Sequence, residues 1–115
     1  MFDKVYGKTV PAPPGGAMEL FDLLIIKQQF AEVWSRPALS IEARRLLVMG
    51  VLAEGGHYDT LGIQFARALE TGELSVEQVR EVVIHLVTYV GTPSSGPLLT
   101  VSEAAIAAFE TVKGD

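Results

Sequence analysis

The chain contains no cysteine in its 115 residues. Disulfides, thiolate metal sites and thiol redox chemistry are therefore excluded. Positive charge is also scarce: nine Lys and Arg against fourteen Asp and Glu leave a formal net charge of -5 and a pI near 4.9. The few basic residues form no stripe that would neutralise phosphates, so nucleic acid is not expected as a partner. No apolar run approaches the roughly 20 residues that span a bilayer, and Met-Phe-Asp-Lys-Val-Tyr-Gly at the start has no apolar signal core. The expectation is a cytoplasmic protein without membrane contact. Strand-like alternation, internal repeats and low-complexity tracts are missing as well.

What the chain does have is apolar surface. Hydrophobic residues make up 49% and the mean hydropathy is +0.32, high for one small domain. Such a surplus points to a homo-oligomer, a trimer or hexamer once the resemblance described below is taken in. Residues 1–16 hold Pro11, Pro13, Pro14, Gly15 and Gly16, which block helix and central strand and predict an extended arm. Residues 17–115 then read as a single all-α domain of about five helices.

The chain is organised around the fourth helix. Ser75 with Gln78 three places on is a capping-box pattern, flanked by Leu74 and Val79 at staple positions. Val79, Val82, Val83, Leu86 and Val90 follow at helical spacing, and Gly91 with Pro93 supplies the stop. Ile84 and Val87 make its second half apolar on another flank. Against this background Gln78, Glu81, His85, Thr88 and Tyr89 stack as one polar stripe. The remaining helices are predicted over 18–34, 41–54, 58–71 and 97–112, with this one over 76–90. Their expected core residues include Leu20, Leu24, Phe30, Val33 and Trp34 in the first and Leu46, Leu47, Met49, Val51 and Leu52 in the second. The third contributes Leu61, Phe65, Ala68 and Leu69, and the last Leu98, Val101, Ala105, Ala108, Phe109 and Val112.

Several strings then resemble a known family. They are Ala31-Glu32-Val33-Trp34-Ser35-Arg36-Pro37-Ala38-Leu39, Arg44-Arg45-Leu46-Leu47, Ala66-Arg67-Ala68-Leu69-Glu70-Thr71-Gly72, Val76 to Val82, and Tyr89-Val90-Gly91-Thr92-Pro93. Together they look like the carboxymuconolactone decarboxylase family of the alkyl hydroperoxidase D-like superfamily. The resemblance implies an all-helical subunit, cofactor-free chemistry on a small carboxylated lactone or keto acid, and ring-like homo-oligomers. The chain departs from the pattern in two places. It has Gln64 where the family's decarboxylases commonly carry histidine, and His85 where they often carry glutamine. At the start of the third helix the superfamily's peroxidases use a Cys-x-x-Cys pair, and this chain offers His57 and Thr60; that chemistry cannot run without sulfur.

Decarboxylation without a cofactor needs a conjugated acceptor in the substrate, an apolar place for the departing carboxylate, and a proton donor. His85 is the first candidate donor, with Glu81 one turn before it to orient the ring and Tyr89 one turn after it to meet an oxyanion. The competing reading is a core histidine bonded to a backbone carbonyl. His57 follows a double glycine at a helix start, where the dipole disfavours imidazolium, and is a candidate base or else a loop histidine. Arg45, from its place in the family's motif, is the first candidate for a substrate carboxylate. Gln64 and Trp34 complete the candidate binding residues, although Trp34 reads first as a core or interface anchor. The two histidines have no metal-ligand spacing, so neither a metal nor another cofactor is expected. Two functions follow: a cofactor-independent decarboxylase, or related lyase or isomerase, and a non-catalytic helical oligomer that binds a small ligand or partner.

Overall fold

The computed structural model describes residues 4–5 and 17–114. Most of the proline-rich arm lies outside the described residues. Every described element is helical, in two units, Met1–Arg44 and Arg45–Asp115. None of the described helices is long and apolar enough to cross a membrane.

In the first unit, α1 (Ala17–Phe21) runs into a π-helical segment, Asp22–Val33. The expected single α-helix is therefore replaced by wider turns, and the Trp34 N–H closes the segment on the Gln29 carbonyl, five residues back, at 2.9 Å. The change of pitch alters which residues share a face. Phe30 and Trp34 are buried, with their rings stacked 5.8 Å apart, while Leu20, Leu24 and Val33, expected in the core, are 63%, 49% and 49% exposed. Ser35-Arg36-Pro37 breaks the helix, and Arg44 fastens the turn by donating to the carbonyls of Leu39 and Arg36. Ser40 caps α2 (Ile41–Glu54), its hydroxyl accepting from the Ala43 N–H at 3.0 Å.

The second unit holds the core. The rest of α2 ends in a Schellman motif: Gly56, at φ +74°, lets its own N–H reach Ala53 and the His57 N–H reach Leu52. Next come α3 (Tyr58–Thr71), α4 (Val76–Val90), a 3-10 turn at Thr92–Ser94, and α5 (Ser95–Gly114). The capping box at Ser75 and Gln78 forms in both directions. The α3 helix packs most extensively on α5, and α4 packs on α5 as well.

Leu61, Phe65, Ala68 and Leu69 of α3, Val79 and Val83 of α4, and Leu98, Ala105 and Ile106 of α5 interlock with Met49 and Ala53 of α2. Two expectations are corrected here. The inward face of α2 is Arg45, Met49 and Ala53, spaced four apart, so Leu46, Leu47 and Val51 are turned outward and are 46%, 62% and 69% exposed. In α5 the seam runs through Ser102 and Ile106, and Ala108 and Val112 are exposed.

Candidate functional site

The polar stripe of α4 stands at the edge of a groove. Gln78, Glu81 and His85 line it together with Val82 and Leu86 of the same helix, Leu74 of the preceding turn and Leu46 of α2, around a volume of about 430 Å³. Gln78, Glu81 and His85 are spaced three and four apart and so share one side of α4, next to the side that buries Val79 and Val83. The Tyr89 ring leans on His85, centroids 5.2 Å apart and tilted by 51°, but is itself 78% exposed and outside the lining. Thr88 donates its hydroxyl to the His85 backbone carbonyl at 2.6 Å, and the His85 ring makes no hydrogen bond among the described residues. No hydrogen bond joins the Glu81 carboxylate to that ring, so the imidazole is placed by Tyr89 and by the helix.

The other candidates lie elsewhere. His57 sits with Gly56, Tyr58, Asp59 and Thr60 in a separate shallow depression of about 330 Å³ at the start of α3. Its ring packs so closely on Gly55 that a Cβ there would stand 2.7 Å from the His57 Cδ2. The structure thus does not bring His57 to His85. Trp34 belongs to the first unit and is stacked on Phe30.

Arg45 and Gln64 are both fully buried, at 1% and 0% exposure. The Arg45 guanidinium donates Nε and Nη2 to the two carboxylate oxygens of Glu73, and Nη1 to the Gln64 Oε1 at 2.7 Å. The fork is closed on protein groups instead of pointing into the groove. Arg67 donates to Glu70 one turn on, and Arg80 makes a bidentate pair with Glu103 of α5, at 3.0 and 2.9 Å. That hydrogen bond holds the Glu103 carboxyl below its ordinary range and raises Arg80 further.

Sequence reasoning missed Glu73, Leu46 and Leu74 as parts of this region. The continuous apolar run of α2 masks its inner face, whose signal in the sequence is Arg45, Met49 and Ala53 spaced four apart, and Leu46 therefore faces the groove. Glu73, next to a helix-ending glycine, gave no signal of pairing with a residue 28 positions earlier.

The arrangement offers one imidazole, one carboxylate and one amide at the rim of an apolar groove. Over 83 residues, 72% of this chain, the sequence is 32% identical to a nitrosuccinic acid decarboxylase of Metarhizium robertsii and covers 57% of that protein. Over 83 residues it is also 29% identical to a 4-carboxymuconolactone decarboxylase of Acinetobacter baylyi, covering 61% of it. The match therefore spans less than two thirds of either relative. No family model and no solved structure matches the chain.

Proposed function

We propose, starting from the chain's membership of the carboxymuconolactone decarboxylase family, that it is a decarboxylase, or a closely related lyase, that works without a cofactor on a small carboxylated lactone or keto acid. The observation that carries this reading is the meeting of Glu81 and His85 with the apolar walls of Leu46, Leu74, Val82 and Leu86 in a chain similar to two proteins named as decarboxylases. In this reading the substrate's carboxylate lies against the leucines, where poor solvation favours its loss as neutral carbon dioxide. The C–C bond breaks, the electron pair passes into the substrate's own carbonyl as an enolate, and His85 delivers a proton to the carbon that lost the carboxylate. Tyr89 holds the imidazole from the solvent side, and Gln78 and Glu81 orient the substrate's polar edge. Arg45 and Gln64 take a supporting role beneath α2 and α3, and His57 has no part in the proton transfer. Self-association into a homo-oligomer belongs to the same proposal and is motivated by the exposed apolar side chains of α2 and α4.

The test is carbon dioxide release from a panel of carboxylated lactones and keto acids, repeated with His85→Gln. The amide keeps hydrogen bonding and cannot serve as a proton donor to carbon. Turnover is expected to fall by about 10²-fold or more with the fold unchanged, the range of general acid catalysis. Turnover equal to that of the parent protein would show His85 to be structural. Carbon dioxide released from no member of the panel would favour a helical module that binds a small ligand without transforming it.

A further inference from the structure

We infer that Gln78 is the hydrogen-bond donor that sets the substrate's direction in the groove: its side-chain amide, held by the cap of α4, presents Nε2 to a carbonyl or carboxylate oxygen at the end of the substrate remote from His85. The inference deepens the reading of the groove as the substrate site and rests on it.

Gln78 belongs to two structures at once. In the capping box its Oε1 accepts the Ser75 N–H at 2.9 Å, while its own N–H donates to the Ser75 Oγ at 3.1 Å. It also lines the groove with Glu81 and His85. A backbone N–H can only donate, so the amide oxygen must face Ser75, because the reverse orientation would set two donors against each other. Nε2 is carried by the same carbon and is turned away from that N–H. Among the described residues it has no hydrogen-bond partner. A glutamine on a helix surface ordinarily loses rotamer freedom when it takes a ligand; here the capping bond has already fixed the amide.

The groove therefore has a polarity. With its oxygen engaged, the Gln78 amide offers donors only, and an ionised Glu81 offers acceptors only. His85 stands seven residues further on, roughly 10 Å along the helix axis, and the long side chain of Gln78 closes part of that span. A ligand with an acceptor oxygen at one end and the carbon that takes the proton at the other meets both residues. The class that fits is a small lactone or keto acid whose acceptor oxygen is remote from the reacting carbon.

Equilibrium binding of the full chain to the methyl ester of an unreactive saturated carboxylated lactone tests this, since an uncharged probe answers to the donor and not to net charge. Gln78→Glu keeps the capping box, because a carboxylate accepts the Ser75 N–H as the amide does, but it has no Nε2. It is expected to leave the urea melt unchanged and to weaken binding by about five- to tenfold, the range of one hydrogen bond. Ser75→Ala does the reverse: it keeps the N–H that orients the amide and removes the hydroxyl, so it is expected to lower stability and to bind the lactone as the parent does. Equal binding by the parent and Gln78→Glu, binding that falls equally in both variants, or a parent that does not bind the lactone each overturns the inference. Should Gln78→Glu fail to fold, the side-chain amide proton resonances of Gln78 in the parent decide. They are expected to shift when the lactone is added, and unmoved resonances overturn the inference. Carbon dioxide release from the reactive acids separates the two readings. Weaker binding confined to Gln78→Glu, with no release from any acid, removes the decarboxylase and leaves Gln78 its role, whereas release by Gln78→Glu at the parent's KM keeps the decarboxylase and removes the role of Gln78.

Discussion

At the scale of single residues, the sharpest contrast is between two arginines that look alike in the sequence. Arg45 is 1% exposed and forms a fork with Glu73, whose side chain is 9% exposed, while Gln64 takes the remaining donor. The Gln64 Nε2 has no hydrogen-bond partner among the described residues, so the network is closed on the arginine side only. Removing one member of such a pair leaves an uncompensated buried charge and costs about 3–5 kcal/mol. Arg45→Met is therefore expected to lower the unfolding free energy obtained from urea melts by an amount in that range, and Arg45→Met with Glu73→Leu to recover much of it. A midpoint unchanged by Arg45→Met alone would show that the pair contributes nothing to stability.

Arg80 and Glu103 are the solvated counterpart. The Arg80 hydrogen bond lowers the Glu103 carboxyl from its ordinary 4.5, so any stability it contributes is present above that value and is lost as the pH falls through the lowered folded-state value. Because both side chains are exposed to solvent, the effect is small. The difference in urea midpoint between the parent and Glu103→Gln should shrink toward zero as the pH drops below 4.5. A difference that grows with acid would contradict the assignment.

At the scale of elements, α2, α3 and α4 were legible to the residue because each end carries chemistry of its own. Ser40 caps α2, Gly56 turns left-handed after it, Gly72 does the same after α3 at φ +77°, and Ser75 with Gln78 opens α4. Where those signals are weak, the reading drifted: α5 begins at Ser95, two residues before Pro97, because the Thr92–Ser94 turn feeds straight into it. The π-helical segment had no signature in composition, since Asp22–Val33 differs from an ordinary helix in hydrogen-bond register alone. The candidate site divided in the same way. Gln78, Glu81 and His85 share a face fixed by local helical geometry, so their meeting was readable, whereas the separation of His57 from His85 and the closure of Arg45 on Glu73 depend on how distant elements pack.

The caps also give a quantitative check. Ser75→Ala removes the acceptor for the Gln78 N–H and should destabilise by about 1 kcal/mol. Gly72→Ala meets no atom within 4 Å, so its expected cost of about 1 kcal/mol is conformational and comes from the left-handed φ alone. Denaturant melts that place either variant level with the parent would show that the corresponding cap is not formed in solution.

At the scale of the molecule, the question is where the apolar surplus goes. The core of the second unit absorbs one face of each helix, yet Leu47 and Val51 of α2 stay 62% and 69% exposed, and Ile84 of α4 60%. Leu47 and Val51 are one turn apart and so form a single outward strip. A second copy of the chain is the occupant proposed for the strip of Leu47 and Val51. Sedimentation at micromolar concentration is therefore expected to show a trimer or larger species, and a clean 12.4 kDa monomer would rule out the proposed assembly. Leu47→Glu with Val51→Glu localises the contact. Both positions are on the surface of the single chain, so the pair should leave helicity intact while placing like charges opposite one another across any interface that uses the strip, and the assembly should dissociate. If the doubly substituted chain still sediments as the parent does, the interface does not use the outer face of α2.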